Sequence, residues 1–487
     1  MKPIRVQRSQ AQFLPDSTRV LIRPFIPQNP QRVANILARG LMLPEEEAIQ
    51  ALELVMSEFK ERHSDIEKVL LHYFHQIRPQ IFSHRPISRE RQLFIGSLFT
   101  GEYALESAAL FNPSIVIHPD QSGVPEGSLR FIVSLRATGE GHISSIEFRS
   151  GTIDQDAMIQ LDPVSRYVTA PDLVPNPTYY RAAFTYKLQE MGFDNEIANT
   201  LLEALGDDFT FADLEKHLKN LQRRFKILSR DEKRTIECVR WLAESNYQLR
   251  FDPALKLHER IIFPVSANES NGIEDARFVR FCDEDGSVTY YATYTAYNGR
   301  VILPQLIETK DFLNFRVLTL NGRAVQNKGM ALFPRKVDGR YVMLSRQDDE
   351  NLFIMFSDNP HYWQDYEVLL RPAEFWELAK IGNCGSPLET EKGWLVITHG
   401  VGPMRKYCIG AILLDLNDPT KVIGRLRTPL LEPENNEREG YVPNVVYTCG
   451  ALIHGRHLIL PYAMSDTASR IAIIQLDELL TALMETP

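Results

Sequence analysis

A pattern that returns five times predicts a mainly β protein, built as a five-bladed β-propeller with helical additions. In each copy an apolar strand ends in a polar residue, a short turn follows, and a second apolar strand comes next. The copies span residues 129–151, 288–309, 340–359, 393–416 and 456–479. The last four start roughly 50–65 residues apart, a spacing that suits propeller blades. The first is separated from the second by a far longer gap. That gap reads as helical, so it is an insertion between blades. A second helical block precedes the first copy.

Taken in order, residues 1–95 read as an N-terminal helical extension. Pro44 opens a stretch whose acids Glu45, Glu46 and Glu47 suit the positive end of a helix dipole. Leu52, Leu54, Val55, Phe59, Ile66, Val69, Leu70 and Phe74 recur at helical spacing, and Ser64 with Asp65 can cap a second helix. The block packs on the main domain or supplies a homo-oligomer contact. Residues 96–487 read as the propeller, interrupted by the helical insertion at about 155–245. In the insertion Asp194 and Ser229 are candidate N-caps and Gly206 a helix stop.

Composition narrows the function. The chain has 487 residues, 44% hydrophobic and 24% charged, which is ordinary globular usage. With 54 basic against 63 acidic residues and no basic run, nucleic acid is not an expected partner. Cys238, Cys282, Cys384, Cys408 and Cys449 are odd in number, widely spaced and never CxxC. A disulfide framework or structural zinc is therefore not expected, and a reducing compartment fits. The N-terminus lacks the apolar core of a signal peptide, and no stretch approaches the ~20 apolar residues of a membrane span. The expectation is a soluble, cytoplasmic protein with no membrane partner.

Five blades bring the polar residues that end their strands to one axial pocket: Arg136, Thr295, Arg346, His399 and Asp466. The segment from Asn271 to Arg277 adds Glu274 and Asp275, neighbours that point to opposite faces of an extended chain and so do different jobs. Lys328 precedes Gly329 and can reach an anion. Lys380 leads into Gly382 and Gly385, glycines that let backbone approach a ligand. No HExxH or clustered ligand spacing marks a metal site. Walker, dinucleotide and GxSxG signatures are absent too. Carboxylates with aromatics suit a sugar. The cations Arg136, Lys328, Arg346, Lys380 and His399 suit an inorganic anion such as phosphate.

These motifs, in this order, resemble family 130 of the glycoside hydrolases, mostly β-mannoside phosphorylases. The resemblance rests on Phe111-Asn112-Pro113, on Glu274-Asp275-Ala276-Arg277, and on Lys328 with Ala331 to Pro334. It continues through Leu344-Ser345-Arg346, Lys380-Ile381-Gly382, Gly393-Trp394-Leu395 with His399-Gly400, and Tyr462 with Asp466. It covers roughly residues 95–155 and 245–487. It implies Asp275 as the general acid, delivering its proton through a mannose hydroxyl. It implies Lys328, Arg346, Lys380 and His399 as the phosphate set. Asn112, Arg136, Glu274, Tyr462 and Asp466 are the implied substrate contacts.

The implied reaction is reversible phosphorolysis of a β-linked mannoside or manno-oligosaccharide with inversion, giving α-mannose 1-phosphate. Inorganic phosphate is the co-substrate, and no metal or organic cofactor is implied. Ala276 stands where the family commonly has proline, Ser345 and Gln347 change the surroundings of Arg346, and Lys328 replaces a frequent arginine. Two other functions remain open. An inverting β-mannosidase needs a second carboxylate to activate water, with Glu274, Asp348, Glu389 and Glu439 as candidates. A non-catalytic carbohydrate-binding propeller needs none.

Overall fold

The computed structural model describes residues 4–82, 85–224, 229–299 and 302–485. The protein is mainly β. Five antiparallel units, each with four strands in series and some with short additional ones, follow one another along the chain. Sheet 1 runs Ala109–Ile117, Leu129–Thr138, Ser144–Ile153 and Ile159–Leu161. Sheet 2 runs Gly272–Cys282, Val288–Tyr297, Ile302–Thr309 and Asn314–Thr319. A single parallel bridge, Gly272 to Ser144, joins the two. Sheet 3 runs Ala331–Leu332, Tyr341–Ser345, Leu352–Ser357 and Tyr366–Leu370. Sheet 4 runs Lys380–Asn383, Gly393–Val401, Tyr407–Leu414 and Val422–Arg425.

Sheet 5 takes strands from both ends of the chain. Val446–Tyr447, His457–Met464 and Ala468–Gln475 are followed outward by Val6–Phe13. That strand corrects the helical reading of residues 1–95. A second strand there, Val20–Pro24, pairs with Thr100–Ala104. Helices do fill much of the block: Pro30–Met42, Glu45–Phe59, Ile66–Ile77 and Arg89–Ser97. Two buried ion pairs tie it to sheet 1, Arg19 to Glu106 at 2.6 Å and Arg19 to Glu147 at 2.9 Å. Arg149 of sheet 1 meets the same two carboxylates.

The insertion is helical over Arg181–Glu190, Glu196–Glu203, Phe211–Arg224 and Arg230–Ser245. Its predicted start at about 155 is too early, because Ile159–Leu161 completes sheet 1. Asn195, not Asp194, caps Glu196–Glu203, and that helix ends before Gly206. Ser229 caps the last helix in a reciprocal capping box with Glu232. Residues 225–228 of the predicted helix lie outside the described residues. The helices bury a core of their own, including Phe184, Leu201, Leu214 and Leu242.

The main core lies between consecutive sheets. Phe333 and Trp394, for example, pack edge to face between sheets 3 and 4, with ring centroids 5.1 Å apart. A cavity of about 300 Å³ is lined by Val116, Phe278, Pro334, Pro387 and Ala451, one from the first strand region of each sheet. The innermost segments of all five units therefore surround one space. No helix among the described residues is long and apolar enough to cross a membrane.

Candidate active site

Two interrupted strands shape the site. The ladder between the first two strands of sheet 1 skips between Phe111 and Ser114, and that of sheet 2 between Glu274 and Arg277. Each bulge turns a polar side chain out of the ladder with the backbone in the left-handed region, Asn112 at φ 48 and Asp275 at φ 55. Such backbone costs of order 1 kcal/mol or more and persists where surroundings enforce it. Here the two side chains hold each other, because Asn112 Nδ2 donates to Asp275 Oδ1 at 2.6 Å.

Arg136, on the second strand of sheet 1, grips both acids. It donates to Glu274 Oε1 at 2.8 Å and to Asp275 Oδ1 at 3.3 Å. Its guanidinium also lies over the Phe111 ring, 5.0 Å from the centroid. Lys328 approaches Glu274 Oε2 at 3.9 Å. Burial would raise the pKa of Asp275, but Arg136, Arg277, Lys328 and the Asn112 amide outweigh it and hold it down at about 2. Asp466 sits on the turn after His457–Met464, at φ 52. Burial and then the charge of Asp275 push it up to about 6, against Arg136, Arg405 and Lys328. One carboxylate is firmly ionised and its neighbour is poised to titrate.

The second half of the site is built around Arg346. This arginine is 4% exposed, follows strand Tyr341–Ser345, and makes no ion pair with a carboxylate among the described residues. Its Nη1 lies 3.1 Å from His399 Nε2, and its Nε has no partner among the described residues. Gly329 and Gly382 leave room for it. A Cβ at Gly329 would collide with the guanidinium, and one at Gly382 with the Arg346 chain and the His399 ring. So these glycines admit a neighbouring arginine, a role narrower than ligand approach. Gly385 instead lets Cys449 and Gly450 come close.

His399 corrects the predicted cation set. It is fully buried, and burial followed by Arg346, Lys380 and Arg277 lowers its pKa well below the ordinary value. A neutral ring is what Arg346 requires, because a guanidinium only donates and Nε2 must accept. Lys380 ion-pairs with Asp349 at 2.9 Å, on the turn after Arg346. Tyr462 is also corrected. It is fully buried, and its hydroxyl donates to Glu437 at 2.6 Å, so it braces sheet 5 and does not line the site. Thr295 lies buried opposite Glu274 in sheet 2.

Three residues were missed. Asn383 donates from Nδ2 to the Gly329 carbonyl at 2.7 Å and leaves a buried Oδ1 without a partner among the described residues. Arg405 reaches toward Asp466 from a turn with two successive positive φ values, 58 and 56. Tyr447 accepts from Arg277 at 2.8 Å. Gly-Pro-Met-Arg at 402–405 was a readable turn signal for the second; nothing local marks the other two. Of the four candidate bases, Asp348 spends its carboxylate on its own turn, through the amides of Glu350 and Asn351. Glu389 pairs with Arg335 beside the 300 Å³ cavity. Glu439 is exposed. Glu274 alone stands in the site.

Sequence comparison places this chain among known proteins. The family model described as β-1,4-mannooligosaccharide phosphorylase matches residues 250–485. A 1,2-β-oligomannan phosphorylase of a Thermoanaerobacter species is 37% identical over 228 residues, 45% of this chain and 75% of that protein. The chain belongs to glycoside hydrolase family 130. A β-1,2-mannobiose phosphorylase of Listeria innocua is 35% identical over 227 residues, 45% of this chain and 62% of that protein. The solved structure of β-1,2-mannobiose phosphorylase from Listeria innocua in complex with β-1,2-mannobiose matches with a TM-score of 0.47 at 22% identity. It covers 78% of this chain and 93% of that one.

Proposed function

We propose that the protein is an inverting phosphorylase of β-linked mannosides or manno-oligosaccharides, using inorganic phosphate reversibly to give α-mannose 1-phosphate. One observation carries the choice of phosphate over water. Arg346 is a buried cation with no carboxylate partner among the described residues. A charge in that setting is stable only when an anion completes it. The family's phosphorylase relatives support the same reading. We also read the five sheets as the blades of a five-bladed propeller, with the reaction at one end of its axis.

The phosphate lies on Arg346, whose guanidinium His399 and the glycines hold in place, with Lys328 and Lys380 at its edge. It attacks C1 of the mannosyl unit from the face opposite the leaving oxygen. The new C1–O bond forms as the glycosidic bond breaks, which inverts the anomeric centre. Asp275 supplies the proton that the departing sugar needs, through a mannose hydroxyl. Transfer leaves a protonated phosphate ester, whose proton then restores Asp275. Arg136, Asn112, Glu274 and Asp466 are the mannosyl contacts.

Asp275 is ionised in the unliganded protein. A bound phosphate dianion cancels much of the cationic field that holds it so, and a bound sugar excludes water. Both raise its proton affinity toward the working range. Because phosphate is already an anion, the reaction needs no base.

The test is purified protein with α-mannose 1-phosphate and a panel of acceptor sugars, read as phosphate release. The reverse reaction follows, with and without phosphate. Phosphate-dependent turnover that falls at least ~100-fold in Arg346→Ala and Asp275→Asn is the expected result. Sugar release that ignores phosphate would replace this reading with hydrolysis. Sugar binding without turnover would replace it with a binding propeller.

A further inference from the structure

The two oxygens of Asp275 are treated differently. Oδ1 is pinned by Asn112 at 2.6 Å and Arg136 at 3.3 Å. Within 4 Å of Oδ2 stands one cation among the described residues, Arg277, whose Nη2 is 3.8 Å away. That distance is too long for a hydrogen bond. Arg277 is 1% exposed, and its guanidinium is held in place by the acceptors it already has. It has three. Nε donates to the Cys384 carbonyl at 2.7 Å, Nη1 to the carbonyl of Asp275 itself at 2.9 Å, and Nη2 to the Tyr447 hydroxyl at 2.8 Å. Sheets 2, 4 and 5 thus share one guanidinium across the space between them. The Tyr447 ring also edges His399, with centroids 5.1 Å apart.

We propose that Tyr447 is a positioning residue that holds Arg277 back from Asp275, so that Oδ2 stays free to pass the proton. Arg277 in turn fixes the bulge by binding the Asp275 carbonyl. This rests on the reading of Asp275 as the acid, but not on phosphate as the nucleophile. An arginine clamped on both carboxylate oxygens would keep Asp275 ionised and mask the working atom. An arginine at 3.8 Å leaves room for a sugar hydroxyl. The other charged or titratable groups that face Asp275 are Arg136, Lys328, Glu274, Asp466 and the Cys449 thiol. All stay in place in the variants below, so their contribution cancels in the comparison.

The two positioning residues predict shifts of opposite sign. Tyr447→Phe removes one oxygen atom and frees Nη2 to swing onto Oδ2. The alkaline limb of the pH–rate profile should move down by ~1 unit and kcat fall ~10-fold or more, with KM for the mannoside little changed. Arg277→Gln removes the charge and should move the same limb up. A purely structural brace would lower thermal stability in both without splitting the limbs. The profile is taken on whichever turnover the wild type shows, with phosphate or with water, so a failure of the phosphate reading does not decide this one.

A substrate-free arm uses a carbodiimide with an amine nucleophile at mildly acidic pH, mapped by peptide mass. Asp466, in the same site, is the internal reference for access. Asp275 should label several-fold less than Asp466 in the wild type, less still in Tyr447→Phe, and more in Arg277→Gln. If Arg277→Gln does not fold, Tyr447→Phe alone carries the test. A Tyr447→Phe profile and labelling ratio that superimpose on wild type, or that shift upward, overturn the proposal.

Discussion

Asp275 and Asp466 share the field of Arg136 and are pushed in opposite directions, to about 2 and about 6. The consequences for stability have opposite signs. A carboxyl whose folded value is depressed contributes stability above its unfolded value near 3.8, lost as pH falls toward 2. One whose folded value is raised contributes below 3.8, and that contribution is lost as pH rises through 6. Asp466→Asn should therefore stabilise the protein at pH 7 by up to about 3 kcal/mol, a gain that fades toward pH 4. Asp275→Asn should cost stability at pH 7 by a similar order. Thermal melts across that range check both, and a pH-independent difference for Asp466→Asn would refute the first. Gly382→Ala tests the arginine's seat. Its methyl would meet both Arg346 and His399, so the KM for phosphate should rise at least ~10-fold while mannoside binding, read by calorimetry, holds.

Much of this site was legible in residue order. Arg136 and Arg346 were read from strand ends that the repeats align, and Asn112, Glu274, Asp275 and Lys328 from short motifs; the fold brings Asn112, Arg136, Glu274, Asp275 and Lys328 together. The sequence could not tell that His399 must be neutral, because its charge depends on burial beside an arginine. Nor could it tell that Tyr462 faces a glutamate, since Glu437 lies in a connecting segment without regular pattern.

The two bulges are the elements that matter most, because a regular strand would send Asp275 back into the ladder. The helical insertion is a different kind of element. It docks on the outer edge of sheet 2 and the segment beyond it. Lys187 donates to the Leu320 carbonyl at 3.3 Å, Glu190 accepts from the Gly322 amide at 2.9 Å, and Asn246 accepts from the Thr319 amide at 2.9 Å. Tyr186 stacks on Tyr362 of sheet 3's last turn, centroids 4.1 Å apart. These contacts make it a brace. The double variant Tyr186→Ala/Glu190→Ala should lower the melting temperature by several degrees and leave kcat/KM on a disaccharide within about two-fold. A large fall in kcat/KM with an unchanged melt would show that the insertion works as a cover over the site. Its helices were readable because helix propensity and caps are local. Its docking face was not, because the partner residues lie 73 or more positions away.

At the scale of the whole molecule, the strand Val6–Phe13 was the element least visible in the sequence. Its residues VQRSQAQF carry few apolar side chains, because an outermost strand packs on one face only. Its identity comes from pairing with Ala468–Gln475 at the other end of the chain. Arg8 on it reaches the Glu434 carboxylate at 2.8 Å and the buried Glu437 carboxylate at 3.2 Å, the same group that Tyr462 holds. The last sheet is therefore complete only when both termini have met. A chain that starts at residue 15 keeps every residue of the candidate site, yet it strands Glu437 without its arginine and opens a sheet edge. Stranding a buried charge costs about 3–5 kcal/mol. The truncated protein should melt at least about 5 °C lower and lose turnover in step with folded fraction. A synthetic peptide of residues 4–16 should restore both. If the shortened chain melts within about 2 °C of the full one, the two ends do not close the molecule, and the coupling between its first strand and its site is absent.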